Sequence, residues 1–296
     1  MELISKNKNR DETVTIAAVE RALKMLEALA GEPDGIDLGL LSTRLDLPVS
    51  ATHRLLATLT ERGFVSQDAA SGAYGLTLKL AQLAFRDLDL RGLPDAGQIV
   101  LDALAHRTRE YCRLAVVEDE DLVWIARAQG ATAGLRYDPP MGAEIVLHAT
   151  ATGKAWLASL PEADALRIVC ARGFEASERA GPNAISDVDM LRTHLTETRR
   201  RGVALAVEEG EIGTVAMAVV FRAGPAADAP VAGTLSVAGP SSRMGEPRRD
   251  AIALALRDAA CDMAEIWPLR RRQMQVPAKP VARRQLDAAH SVETSP

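Results

Sequence analysis

A short polar segment at 49–54, Val-Ser-Ala-Thr-His-Arg, carries side chains of the kind that hydrogen-bond to DNA. A guanidinium can bind guanine or a phosphate through two hydrogen bonds, so Arg54 is the strongest candidate for such a contact. Ser50 is predicted to cap a helix and to bond a phosphate. His53 has two open interpretations, a DNA contact or a neutral surface residue.

Further polar residues lie on either side of this segment. Thr43 and Arg44 precede it, and Arg62 and Gln67 follow it, where phosphate contact and ordinary solvated surface are both open. The predicted DNA-contacting residues are Thr43, Arg44, Val49, Ser50, Thr52, His53, Arg54, Arg62 and Gln67.

These side chains need a helix-turn-helix to position them. Apolar residues recur at helical spacing before and after the polar segment, and Gly63 ends the last helical pattern. Helices are predicted over 16–29, 38–45 (capped by Asp37) and 50–62, and short strands over 64–67 and 73–76. Three helices followed by a hairpin are typical of a winged helix-turn-helix, whose third helix lies in the major groove.

The remainder of the chain alternates helical and strand-like patterns. A linker helix is predicted to continue to Arg91, and Gly92, Pro94 and Gly97 are expected to interrupt it. Helices are predicted over 99–109, 153–160, 187–200 and 248–266, and strands over 113–117, 122–128, 203–208, 215–221 and 231–237. Mixed strands and helices closed by one long helix predict an α+β sensor domain built on one sheet.

Five regions follow from these patterns. A flexible arm is predicted over 1–13, the winged helix-turn-helix over 14–76, the linker helix over 77–92, the sensor domain over 93–267 and a disordered basic tail over 268–296. Lys6, Lys8 and Arg10 of the arm have two open interpretations, DNA contact or solvated tail. The tail holds six Lys/Arg against two acidic residues and is expected to attract DNA weakly.

Bulk composition limits the class of protein. The chain has 296 residues, 47% hydrophobic and 25% charged, which predicts about two folded domains. No apolar run reaches the ~18 residues of a membrane helix, so a cytoplasmic protein without membrane contact is expected. The three cysteines are far apart and predict buried thiols in a reducing compartment; neither metal nor cofactor is expected.

Net charge gives no support to DNA binding. The formal charge is −5, and residues 1–80 hold nine Lys/Arg against eleven Asp/Glu. Because phosphate contacts rely on cations, the DNA-binding hypothesis depends on where the charges lie rather than on their sum.

The same residues disfavour other classes of function. An enzyme is disfavoured because no G-x-S-x-G, H-E-x-x-H or dinucleotide fingerprint occurs, and the neighbours Glu208 and Glu209 are interpreted as structural. Residues 150–155 resemble a phosphate loop but have His148 and Ala155 where that motif requires glycine and Ser or Thr. An RNA or single-strand binder would need exposed aromatic residues, and only 3% of the chain is aromatic.

Several segments together resemble the isocitrate-lyase-regulator (IclR) family of bacterial transcription factors. They are Ile16 with Ala22–Leu26, Leu47–Leu59, Gly63–Val65, Leu147–Ala155, Arg201–Val203 with Glu208–Gly213, and Gly233–Pro240. The resemblance covers about residues 14–267.

This resemblance implies a GAF-like sensor domain, dimers formed through the amino-terminal domain and often a dimer of dimers. It also implies operator DNA and a small organic acid as partners. Carried over by position, the effector pocket would be lined by Tyr137, Ile145, Ala151, Thr152, Ala206, Ala216, Ser236 and Ala238. His148 is expected to hydrogen-bond to neighbouring backbone.

The chain departs from the family at three pocket positions. Ala206, Ala216 and Ala238 stand where many members have an acidic residue, a cysteine and a serine. The loss of three polar groups favours a larger, less polar effector, an aromatic or amphipathic acid. Its carboxylate is expected near the backbone N–H groups that begin the helix after Thr150. The resulting hypothesis is a ligand-responsive regulator, a repressor of a catabolic operon; an activator or an enzyme acting on the acid are the alternatives.

Overall fold

We describe the fold from a computed structural model, which describes residues 16–90, 93–174 and 180–268. The chain divides into two compact units between Asp87 and Leu88. The predicted arm and residues 269–296 of the predicted tail lie outside the described residues. Within the described part, no helix is long and apolar enough to cross a membrane.

The amino-terminal unit contains three helices and a two-stranded antiparallel hairpin. They are α1 (Ala17–Ala30), α2 (Leu38–Arg44), α3 (Val49–Glu61), β1 (Val65–Gln67) and β2 (Tyr74–Leu76), followed by the start of α4 (Lys79–Leu90). The core is formed by Met25, Leu29, Ile36, Leu41, Leu56, Leu59, Val65 and Tyr74. The predicted winged helix-turn-helix is confirmed.

Local signals set the ends of these helices. The carboxylate of Asp37 accepts hydrogen bonds from the N–H groups of Gly39 (2.7 Å) and Leu40 (3.2 Å), as predicted for a cap. At the end of α3, Gly63 has φ of 75°, and the N–H of Phe64 donates to the carbonyl of Leu59. Glycine adopts this left-handed conformation without steric cost, so the helix ends there.

The carboxy-terminal unit is built on a five-stranded antiparallel sheet with strand order β4-β3-β7-β6-β5. Its elements in chain order are α5 (Leu93–Thr108), β3 (Tyr111–Glu118), β4 (Asp121–Gln129), α6 (Ala151–Ser159), α7 (Glu162–Arg172), α8 (Val188–Arg201), β5 (Ala204–Val207), β6 (Thr214–Arg222), β7 (Val231–Pro240) and α9 (Glu246–Ile266). All five predicted strands are present, and the α+β class is confirmed.

Helices cover both faces of this sheet. Helices α5 and α9 pack on one face, where Leu114, Leu235 and Val237 belong to a continuous apolar core. Helix α6 packs on the other face against β5, β6 and β7. Because side chains alternate along a strand, Ser236 and Ala238 point to the α6 face.

Three predictions about the carboxy-terminal unit were wrong. Helix α7 was not predicted. Helix α5 begins at Leu93 and includes Gly97, where a Cβ atom would lie 2.7 Å from the Leu114 side chain, so close packing rather than a break explains this glycine. Cys112 is buried, which raises its pKa to about 12, but Cys170 and Cys261 are exposed.

Candidate functional site

The outer surface of α3 presents the predicted DNA-reading residues. Val49, Ser50, His53 and Arg54 are exposed, while Leu56 and Leu59 of the same helix are buried in the core. Neither the His53 nor the Arg54 side chain makes a hydrogen bond within the described residues. A cationic and a hydrogen-bonding side chain therefore remain available to an external partner.

Two predictions on this helix require correction. Thr52 is 0% exposed, and its hydroxyl donates to the carbonyl of Pro48 at 3.2 Å, so it belongs to the core and cannot reach DNA. Ser50 does not cap α3, because the helix starts at Val49 after Pro48 and has no side-chain cap.

The flanking candidates are exposed, and the side chains of Thr43, Arg44 and Gln67 have internal partners. The Arg44 guanidinium lies 2.6 Å from Glu32, and the Thr43 hydroxyl donates to Gly39. In the hairpin, the Gln67 amide donates to the carbonyl of Gly72 at 2.9 Å. Arg62 accepts a hydrogen bond at its carbonyl from Lys79, leaving its side chain exposed.

The second candidate site is a cavity of about 410 Å³ in the carboxy-terminal unit. It lies on the α6 face of the sheet, between the strands, the start of α6 and the loop before it. All eight residues that the resemblance assigned to the effector pocket line it: Tyr137, Ile145, Ala151, Thr152, Ala206, Ala216, Ser236 and Ala238. Its volume is in the range of small-molecule sites.

Alanines form the floor of this cavity. Ala206 pairs with Ala216, and Ala216 pairs with Ala238, so these three methyl groups lie side by side across three strands. Ala151 faces them from the start of α6. Small side chains here leave room, and they offer apolar contact rather than hydrogen bonds.

Arg113 lines the same cavity and was missed from the sequence. It lies on β3 directly opposite Ser236 of β7, so both side chains are on the α6 face. Its Cζ lies 3.7 Å above the ring of Trp124 and 5.6 Å from that of Tyr111. Burial lowers its pKa, but a guanidinium remains charged. The alternation along β3 was the signal that could have found it.

Tyr137 contributes a hydroxyl at the cavity. Burial, with a smaller contribution from the charge of Glu211, raises the pKa of Tyr137 to about 12. The phenol is therefore neutral near pH 7 and can donate a hydrogen bond. Its ring contacts Tyr111 edge to face, with centroids 5.9 Å apart.

The start of α6 is held in place by its own cap. The Thr150 hydroxyl accepts a hydrogen bond from the N–H of Gly153 at 3.0 Å, and the Thr150 carbonyl accepts one from the backbone N–H of Lys154. At Gly153 a Cβ atom would lie 2.2 Å from the carbonyl oxygen of Leu147, so only glycine fits. The backbone of 147–153 is thus fixed where it borders the cavity.

Beneath this turn a buried ion pair joins α6 to the segment after β5. Lys154 is 0% exposed, and its Nζ lies 2.7 and 2.5 Å from the two carboxylate oxygens of Glu209. It also donates to the carbonyl of Leu205 at 2.6 Å. Burial lowers the pKa of Lys154 and raises that of Glu209, while their mutual attraction opposes both shifts. The structural interpretation of Glu209 is confirmed.

Two other polar residues, Glu208 and His148, lie near this turn. Glu208 has φ of 51°, and its carboxylate accepts from the N–H of Gly213. His148 is buried beside Phe174. Within the described parts of the chain its Nε2 has no hydrogen-bond partner, so that atom does not make the expected backbone bond. Among the described residues, no group of three or more His, Cys, Asp or Glu could hold a metal ion.

A winged helix-turn-helix followed by a separate cavity-bearing α+β unit defines a DNA-binding transcriptional regulator. The IclR helix-turn-helix domain matches residues 18–69, and the C-terminal domain of IclR bacterial transcriptional regulators matches residues 86–265. This chain belongs to the IclR family of bacterial transcriptional regulators.

Individual proteins agree with this assignment. The chain is 30% identical over 203 residues to a probable transcriptional regulator, SauR, of Cupriavidus necator, covering 69% of this chain and 79% of that protein. It is 29% identical over 241 residues to the transcriptional repressor IclR of Escherichia coli, covering 80% and 84%.

Solved structures agree as well. A putative IclR transcriptional regulator from Silicibacter has a TM-score of 0.69 and 26% identity, covering 87% of this chain and 96% of that one. These relatives are regulators rather than enzymes, so the enzyme alternative is set aside.

Proposed function

We propose that this protein is a ligand-responsive repressor of a catabolic operon, released from or tightened on its operator by a small organic acid. The observation that carries the proposal is the cavity of about 410 Å³, lined by all eight predicted effector residues, in the unit that does not contain α3. The similarity to a transcriptional repressor of Escherichia coli supports repression.

The DNA-facing surface is proposed to be the exposed side of α3 with its neighbours. Arg54 and His53 read base edges or phosphates, and the flanking residues bind phosphates. The proposed contacts are Thr43, Arg44, Val49, Ser50, His53, Arg54, Arg62 and Gln67; Thr52 is withdrawn because it is buried.

Self-association through the amino-terminal unit is part of the proposal. Val19 and Leu23 are each 54% exposed on α1, one helical turn apart. Leu78, which directly precedes α4, and Phe85, within α4, are also largely exposed. Apolar side chains spaced along a helix face favour a protein interface, and a homodimer or a dimer of dimers would cover them.

Regulation requires that the effector distinguish two arrangements of the protein. A ligand that binds the DNA-competent and DNA-incompetent states equally shifts nothing. A difference of about 1–3 kcal/mol, typical of allosteric coupling, would change DNA affinity by roughly 5- to 150-fold.

The proposal is tested by titrating fluorescently labelled duplex with the full-length protein and following anisotropy at two salt concentrations. The duplexes are the DNA upstream of its own gene and a scrambled sequence of the same composition. Selective, salt-sensitive binding, changed by an aromatic acid, supports the proposal. Equal weak binding to both, with and without acids, argues against it.

Replacing Arg54 by alanine is expected to reduce operator affinity by about 1–3 kcal/mol and to erase the preference over scrambled DNA. The reason is the loss of bidentate hydrogen bonding from an exposed side chain. Arg21→Ala is the matched control, since it removes the same charge from the exposed surface of α1 in the same unit. Equal losses for both variants would mean that Arg54 contributes only charge.

Replacing Ser236 by alanine is expected to weaken acid binding by about 0.5–1.5 kcal/mol, the value of one hydrogen bond, with DNA affinity unchanged in the absence of acid. Thr234→Val on the same strand is the matched control, because the buried Thr234 hydroxyl has no hydrogen-bond partner among the described residues and Thr234 does not line the cavity. Acid affinity and acid-free DNA affinity are measured side by side. A simultaneous loss of both would identify Ser236 as structural.

A further inference from the structure

Arg113 lies on β3, the second strand of the five-stranded sheet, and lines the cavity. Its direct neighbours are Ser236 on β7 and Arg127 on β4. Both Arg113 and Ser236 line the cavity, whereas Arg127 does not and is ion-paired with Asp138. Of this pair of neighbouring arginines, only Arg113 faces the enclosed space.

Aromatic rings fix the orientation of Arg113 and leave its hydrogen-bonding edge open. Its Cζ lies 3.7 Å above the Trp124 ring, a stacking distance. A stacked guanidinium directs its N–H groups outward in its own plane, where no ring competes for them. Its buried Nε has no hydrogen-bond partner within the described residues. An unsatisfied buried donor is costly, and a charged acceptor relieves that cost most effectively.

No side chain forms an ion pair with Arg113 within the described part of the chain. Of the acidic residues lining the cavity, Glu209 is bound by Lys154 and Glu144 is exposed. Glu211 interacts with Tyr137 and attracts Arg113 electrostatically, but among the described residues no carboxylate lies within ion-pair distance of Arg113. A positive charge therefore faces the cavity without an ion-paired carboxylate among the described residues.

The alanine floor is apolar, in contrast to the charged Arg113, and it therefore defines the other half of the ligand. Ala206, Ala216 and Ala238 present adjacent methyl groups that can bury a flat apolar surface but cannot form side-chain hydrogen bonds. A molecule that satisfies both regions has a carboxylate at one end and an apolar ring at the other.

We propose that Arg113, stacked on Trp124, binds the carboxylate of an aromatic acid through its Nε and one terminal nitrogen, with the ring of the acid on the alanine floor. The inference rests on the proposed function in taking this cavity as the effector site. It assigns the anion to the sheet rather than to the backbone N–H groups at the start of α6.

The test uses the full-length protein and two probe pairs of matched shape, benzoate with benzamide and phenylacetate with phenylacetamide. Binding is measured by titration calorimetry to millimolar concentration and by tryptophan fluorescence, since Trp124 lies against Arg113. At least one acid is expected to bind about 10- to 100-fold more tightly than its amide. In Arg113→Gln that preference is expected to disappear.

Two further variants separate charge, geometry and folding. Arg127→Gln removes a neighbouring positive charge outside the cavity and is expected to bind acids like the unaltered protein. Arg113→Lys keeps the charge but loses the planar fork, so it is expected to lose about tenfold or more in acid affinity. It also carries the test if Arg113→Gln proves unstable.

Two results would overturn the inference. Acid preference that survives unchanged in both Arg113 variants would move the carboxylate to the start of α6. Failure of both acids to bind the unaltered protein would remove the aromatic-acid assignment. Selective operator binding is measured in a separate experiment, so neither result contradicts the proposal that the protein is a DNA-binding regulator. Conversely, if the protein fails to bind its operator selectively, the acid titrations still test the role of Arg113.

Discussion

Replacing Lys154 by methionine is expected to destabilise the carboxy-terminal unit by about 3–5 kcal/mol, the cost of leaving a buried charge without its partner. Methionine has a similar length and packs well, so the loss is electrostatic rather than a cavity effect. The Glu209 carboxylate, which is 4% exposed, would lose its ion-pair partner, and the carbonyl of Leu205 would lose its donor. The Nδ1 of His194 lies 3.9 Å from this carboxylate.

The chain provides a selective probe for this measurement. All three tryptophans, at 124, 156 and 267, belong to the carboxy-terminal unit, so the fluorescence change in urea reports on that unit alone. The midpoint is expected to fall sharply with little change in slope. A loss below about 1 kcal/mol would show that water or a shifted His194 compensates the carboxylate.

The double variant Lys154→Met with Glu209→Gln is the control that isolates the ion pair. Removing both charges is expected to recover much of the stability, because burial penalises each charge and the pair itself contributes little beyond offsetting those penalties. This balance agrees with the opposed effects of burial and attraction on both pKa values. A double variant as unstable as Lys154→Met alone would assign the effect to packing.

Much of the fold was predictable from the sequence because its signals were local. Asp37 and Gly63 mark helix ends through caps and left-handed backbone, and these require no knowledge of tertiary contacts. The five strands of the main sheet were found because each is a short apolar run bounded by polar turns. Helix α7 was missed although its buried residues Ala165, Ile168 and Val169 follow the i, i+3, i+4 spacing of a helix.

The environments of individual side chains were less predictable than the secondary-structure elements. Thr52 was placed on the DNA surface because its residue type suits phosphate contact, but its position on α3 turns it into the core. Arg113 was missed because a charged residue within an apolar strand is usually interpreted as solvent-facing. Its role depends on Trp124, eleven residues further along the chain, and on the register that places it opposite Ser236. Only the paired sheet brings these residues together.

Gly153→Ala is expected to destabilise the carboxy-terminal unit by about 3 kcal/mol, at the upper end of the range for overpacking. A methyl group at this position would lie 2.2 Å from the carbonyl oxygen and 2.4 Å from the Cα of Leu147. Both contacts are with backbone, so no side-chain rotation relieves them, and the loop or the helix must move. Acid binding is expected to weaken as well, since the same turn borders the cavity.

Two opposing effects act at Gly153, so the sign of the measured change in stability is informative. Within a helix, alanine is favoured over glycine by about 1 kcal/mol, so an unstrained site would become more stable. Gly142→Ala, in the loop before α6, is the matched control, because a Cβ atom there meets nothing within 4 Å and the change should stay within about 0.5 kcal/mol. A stabilised Gly153→Ala variant in urea would mean that 147–153 yields readily. In that case the turn could not hold the cavity in a fixed shape, and recognition of an acid would depend on the sheet alone.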